Sequence, residues 1–280
     1  VEIRWQPGHL VRARRELKPL LSQARWVVEV GDARAPRASR DRLLSEQVPA
    51  ARRIVVLTHA DLADPQATRA WLRALRAAGE EAYAVRAHRP SGLQPLQRRL
   101  APPRARPPAG LRGVRLGTAV TLQRAVVVGL PNVGKSTLIN ALARRSRARS
   151  EARPGTTRGP QWIQASEGLE LLDTPGVLAP MGVRGERAYL LAALGMVSDR
   201  SFPVWEVAVW LVERLGLPDP ALGSAEATLE GMGRGWGLVS RSGAVNTEET
   251  ALRLLQQFRR GSLGRHTLEE PPRVPAEPGR

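Results

Sequence analysis

The sequence has 280 residues, 42% hydrophobic and 25% charged, which suits two globular domains each with its own core. It has no cysteine, which excludes disulfides and thiolate metal sites and fits a reducing cytoplasm. No run of eighteen apolar residues exists to span a membrane, and residues 1–10 lack the apolar stretch of a signal peptide.

The formal net charge is +17, and the whole excess lies in residues 1–180, where 31 basic residues face 14 acidic ones; residues 181–280 hold 12 of each. A one-sided surplus of this kind is the footprint of a polyanion, and nucleic acid is the first candidate. Arginine supplies 41 of the 43 basic residues, a bias that explains Arg over Lys but not basic over acidic. The bias makes the two lysines, Lys18 and Lys135, informative. A position that keeps Lys here needs a compact ammonium that a planar guanidinium does not replace.

In chain order, residues 26–30 and 53–57 read as short buried strands, each followed by a loop rich in Asp, Ala and Pro. A helix is predicted over 65–78, with Trp71, Leu72 and Leu75 on one face, and a third strand over 82–87. Residues 101–118 form a Pro/Arg/Gly-rich linker. Alternation then resumes, with a strand at 124–128, a helix at 135–145, and strands at 161–166 and 169–172. From about residue 186 the chain turns helical. Residues 203–215 carry Val204, Val207, Ala208, Leu211 and Leu215 on one face, and Asn246 with Glu249 opens a last helix bearing Leu252, Leu255 and Phe258. The expected fold class is α/β, a mostly parallel sheet covered on both faces over residues 1–180, followed by a small helical domain over 181–280.

Residues 129–136, Gly-Leu-Pro-Asn-Val-Gly-Lys-Ser, match GxxxxGK[ST] between a predicted strand and helix, the setting that phosphate-binding P-loops require. Backbone N–H groups around Asn132, Val133, Gly134 and Thr137 would wrap the phosphates. Lys135 would reach the terminal phosphates, and Ser136 would offer its hydroxyl to Mg²⁺. Asp173-Thr174-Pro175-Gly176 fits the Mg²⁺-side DxxG motif, with Asp173 holding the metal and Gly176 N–H at the terminal phosphate. Between them, Pro154–Arg158 has the composition of a switch loop, and Thr157 is the predicted further Mg²⁺ ligand. No [NT]KxD follows residue 176; the candidate lies upstream, at Thr58-His59-Ala60-Asp61. A carboxylate there can accept from the ring N–H and amine of guanine, which adenine does not offer. Taken alone, Asp61 also reads as a helix N-cap before Pro65. Base motif before phosphate motif means a circular permutation, whose joining linker must fall where 101–118 lies.

The chain resembles the circularly permuted ribosome-assembly GTPases of the YlqF/RbgA type over nearly its whole length. The resemblance rests on Trp5–Leu10, Glu29–Pro36, GLPNVGKSTLIN (129–140), PGTTR (154–158), LLDTPGVL (171–178), and a tail running from Phe258 through Arg265 to Glu269. It implies GTP hydrolysis in late assembly of the large ribosomal subunit, whose precursor and rRNA would be the partners. The expected setting is the cytoplasm, with no membrane and a free monomer. Val177 stands where Ras-like enzymes place the water-orienting glutamine, and the family assigns that task to the histidine corresponding to His9; anchoring of the N-terminal segment is the other role open to His9. Asn132 corresponds to an asparagine that binds K⁺ in related GTPases. His59 stands in the family's lysine position, where its ring could stack on the base, and Ala87 falls in the last base-contacting loop. The rivals are a P-loop ATPase or kinase, and an RNA-binding module that uses nucleotide only to hold its shape.

Overall fold

A computed structural model describes residues 2–3, 19–41, 44, 48–86, 90–102, 122–143, 161–174, 182–217 and 221–272. Its strands are β1 (Glu2–Ile3), β2 (Trp26–Asp32), β3 (Arg53–Thr58), β4 (Glu81–Ala84), β5 (Gln123–Gly129), β6 (Gln161–Ser166), β7 (Leu169–Asp173) and β8 (Val183–Arg184). The α-helices are α1 (Pro65–Ala77), α2 (Gln94–Leu100), α3 (Lys135–Ala143), α4 (Glu186–Ala193), α5 (Val204–Arg214), α6 (Ala225–Gly235) and α7 (Thr247–Arg260).

Six strands form one sheet in the order β4-β3-β2-β5-β7-β6. All neighbours are parallel except the edge pair β6 and β7. The sequence explains which strands are central. Every residue of β2 and β3 is buried, as expected for parallel strands with helices on both faces, where apolar residues run on rather than alternate. Glu29 and Asp32 are the charged exceptions in β2, and Glu29 is the one inside the run. The buried Glu29 carboxylate accepts from Arg40 Nη2 at 2.7 Å, and Glu80 binds both Arg40 and Arg53, so the buried charges come in opposed sets.

Asp32 lies opposite Thr58 across β2 and β3, Val30 opposite Gly129 across β2 and β5, and Val127 opposite Asp173 across β5 and β7. The loops after β2, β3, β5 and β7 therefore emerge at one carboxyl edge. From β2 the chain passes to β3 on one side, and from β5 it passes to the other, so β2 and β5 border the switch point where open α/β sheets bind ligands. β5, which leads into the P-loop, comes fourth in chain order among the six strands of this sheet yet sits beside β2, as the permuted reading requires.

Helices α4, α5 and α7 join the main core: Leu191, Leu211, Leu255 and Phe258 belong to the same buried cluster as Val126 and Val128. A second cluster, with Ala208, Val212, Leu229 and Leu254, holds α5, α6 and α7 together. Asn246 caps α7, its Oδ1 accepting from Glu249 N at 3.1 Å while its Nδ2 donates to the Glu249 carboxylate. On α7 the buried face is Ala251, Leu254, Leu255 and Phe258, and Leu252 is only half-buried. The third strand is Glu81–Ala84 rather than 82–87; Val85 N still donates to Leu57 O beside the Leu57–Ala84 pair, and residue 87 lies outside the described residues. Residues 103–118 of the predicted linker lie outside the described residues. So do residues 144 and 145 of the helix after the P-loop. Among the described residues no helix is long and apolar enough to cross a membrane.

Candidate nucleotide site

The P-loop closes on itself. Lys135, at the start of α3, is 7% exposed, and its ammonium donates to Gly129 O at 3.0 Å and Leu130 O at 2.8 Å. Burial pushes its pKa down to about 8, with Asp173 pulling the other way. Gly134 has φ +98°, a conformation open to glycine, and a Cβ there would lie 3.4 Å from Thr58. Asn132 also has positive φ, and its amide donates to Gly195 O, just past α4, at 2.8 Å. Val133 is buried beneath the loop, and Thr137 lies in the first turn of α3.

Ser136 Oγ donates to Asp173 Oδ2 at 3.0 Å, so the hydroxyl and carboxylate expected on the Mg²⁺ side meet at one point. Hard oxygen donors of this kind suit Mg²⁺.

Thr58 joins the two halves of the motif set. Its hydroxyl donates to Val133 O at 2.6 Å, with Gly31 O 3.0 Å away. The side chain that opens Thr58-His59-Ala60-Asp61 thus rests on the P-loop backbone. His59 has positive φ, and its Nδ1 lies 2.8 Å from Asp32 Oδ2. Asp32 is fully buried at the end of β2. Burial alone would push its carboxyl up, but the Arg34 guanidinium and the His59 ring hold it well below the usual carboxylate range. Arg34 grips both Asp32 oxygens, at 3.0 and 2.8 Å.

Asp61 is not the N-cap of α1. Asp64 is, accepting from Ala67 N at 2.6 Å directly before Pro65 in the first turn. Pro65 at the first helical position was the signal for this, since the cap must be the residue before it. His9, Ala87, Thr157 and Gly176 lie outside the described residues. β1 pairs antiparallel with β8, Glu2 opposite Arg184 and Ile3 opposite Val183.

Sequence reasoning gave Asp32 and Arg34 no task, and it missed Arg265 and Thr267. Both pairs lie in motifs that carry the resemblance, Glu29–Pro36 and the tail from Phe258 to Glu269, but only the fold shows what their side chains bind.

Residues 124–207 match a family described as 50S ribosome-binding GTPase. Over 288 residues the chain is 34% identical to ribosome biogenesis GTPase A of Priestia megaterium, covering 96% of this chain and 97% of that protein. It belongs to the ribosome biogenesis GTPase A family. The Bacillus cereus member is 32% identical over 283 residues, covering 96% of this chain and 94% of its own. Among solved structures, GNP-bound YlqF from T. maritima superposes with a TM-score of 0.68 at 26% identity, covering 94% of this chain and all of that one. A GDP-bound YlqF structure gives 0.69 at 26% identity over 92% of this chain and 99% of that one. The expected family, the α/β P-loop fold and a GTPase activity all stand.

Proposed function

We propose that this GTPase hydrolyses GTP during late assembly of the large ribosomal subunit, in the cytoplasm, binding the subunit precursor through its rRNA and remaining monomeric when free. The observation that carries the guanine half of this reading is the 2.6 Å hydrogen bond from Thr58 to Val133 O, which seats the upstream base motif against the phosphate loop. The family's name, the 50S ribosome-binding description of residues 124–207 and the basic excess in residues 1–180 support the ribosomal half.

In this reading Asp61 accepts from the guanine edge, with Thr58, His59 and Ala87 beside it. The backbone of Asn132–Thr137 and of Gly176 carries the phosphates, and Lys135 balances their charge. Ser136, Asp173 and Thr157 would hold Mg²⁺, which when bound neutralises charge on the phosphate oxygens. Asn132 would offer its carboxamide oxygen to K⁺, since its nitrogen is taken by Gly195 O. His9 would orient the attacking water in place of the missing glutamine. Turnover by the free protein is accordingly slow and rises on the particle.

The test is GTP turnover by the purified protein with large subunits, with small subunits, and alone. Stimulation by large subunits only, lost as salt rises, is the expected result. Equal rates in all three would overturn the ribosomal reading, and ATP turned over as fast as GTP would overturn the base reading.

A further inference from the structure

The loop after β3, residues 59–64, carries Asp61, and part of its shape is set from within. Leu62 N and Ala63 N both donate back to His59 O, closing one turn. The outward carbonyls of that turn need other partners. They find them in the segment that follows α7, about two hundred residues away in the chain.

Arg265 spans the turn with its guanidinium, Nε donating to Ala63 O and Nη2 to Ala60 O, both at 3.0 Å. His266 N donates to Leu62 O at 3.0 Å. Thr267 Oγ1 accepts from Asp64 N at 3.1 Å. Three consecutive tail residues thus bind three carbonyls and one amide of the five residues around Asp61. The same tail then crosses to the loop after β2. Leu268 N donates to Arg34 O at 2.6 Å, and the Glu269 carboxylate accepts from Arg37 N at 2.7 Å and Ala38 N at 3.1 Å. Close approach begins at Gly261, where the chain leaves α7 with φ +79° and where a Cβ would sit 2.6 Å from Leu62 Cδ2.

We propose that Arg265, His266 and Thr267 are positioning residues for guanine recognition: they fix the turn 60–64 and thereby the place of the Asp61 carboxylate. Base specificity is then a property of the tail as much as of the loop that touches the base. This rests on the reading of Asp61 as guanine acceptor. The physical ground is that paired hydrogen bonds to a ring edge tolerate little displacement, whereas a turn whose carbonyls bond only to water is free to shift. The phosphate end is indifferent to the tail, because the Lys135 partners lie within its own loop.

The experiment uses the full chain and compares Arg265→Ala, Arg265→Lys, Thr267→Val and Asp61→Asn. Dissociation constants for GDP, IDP (which lacks the 2-amino group) and XDP are measured by displacement of a fluorescent GDP. Arg265→Ala should weaken GDP about tenfold and IDP much less, so that the GDP-to-IDP preference collapses. Arg265→Lys, which keeps one donor, should fall between, and Thr267→Val should show a smaller loss of the same kind, serving also if Arg265→Ala does not fold. Asp61→Asn should turn the preference toward XDP. If Asp61→Asn switches the base but the tail variants leave the GDP-to-IDP ratio unchanged, or weaken both ligands equally, the positioning role is wrong while the base reading survives. If Asp61→Asn leaves base preference untouched, both fall together.

Discussion

Lys135 is held by carbonyls five and six residues before it, whereas the turn carrying Asp61 is held by an arginine 202 and 205 residues further on. The two ends of one proposed ligand site are built on opposite plans. At the phosphate end, glycine at 134 and a strand-to-helix junction shape the loop from contiguous sequence. At the base end, a turn of ordinary residues is shaped by a tail that has first passed through the helical half of the chain. A contiguous loop folds its site wherever the strand and helix fold; a laced loop depends on the docking of a remote segment, and so couples base recognition to the helices that carry the tail.

Four measurements can break or sharpen that contrast. The largest effect belongs to Lys135→Ala, which should weaken GTP and GDP on the order of 100-fold and abolish turnover, since no other described cation reaches into the loop. GDP binding within tenfold of wild type would place the phosphates elsewhere.

Thr58→Val should weaken GDP and IDP alike by about tenfold, because it leaves Val133 O without its buried donor and loosens the seam between the two ends. A change in the GDP-to-IDP ratio instead would mean that Thr58 serves the base end alone.

The pH dependence should be milder. Burial sets the Lys135 pKa at about 8 in the free protein, and bound phosphate favours the ammonium, so the complex carries a proton that the free protein has lost above that pH. Affinity should be flat below neutral pH and drop about fourfold between about pH 7 and 8.5, with proton uptake visible by calorimetry in buffers of different ionisation enthalpy. Proton release on binding would reverse the sign and refute this.

Smallest is Asn246→Ala, which removes the cap of α7. It should cost about 1 kcal/mol in urea unfolding and leave nucleotide preference unchanged, because the cap lies at the opposite end of α7 from the tail. A collapsed guanine preference in this variant would show the tail to be far more sensitive to α7 than the contacts at Arg265 require.

Much of the site was readable from the residues in order. The apolar runs at 26–30 and 53–57 marked central strands because a strand covered on both faces has no polar side to alternate with. Lys135 stood out because the chain otherwise spends arginine, whereas Arg34 and Arg265, each one of 41, gave no sign of their partners although both lie in motifs that carry the resemblance. Asp61 taken alone also reads as a helix cap, but the cap is Asp64, since proline at the first helical position fixes the cap one residue before it. The pairing of His59 with Asp32 had no linear signal, as it depends on β2 and β3 lying in register with Asp32 opposite Thr58.

By itself the sequence determined the elements and the phosphate loop, because hydrophobic period, glycine conformation and a lone lysine are properties of neighbours along the chain. The tertiary structure decided that Thr58 touches Val133, that Asp32 holds His59, and that Arg265 laces the turn around Asp61. Those pairings join residues far apart in sequence, and such contacts are selected by the packing of the whole sheet and its helices, which no local pattern encodes.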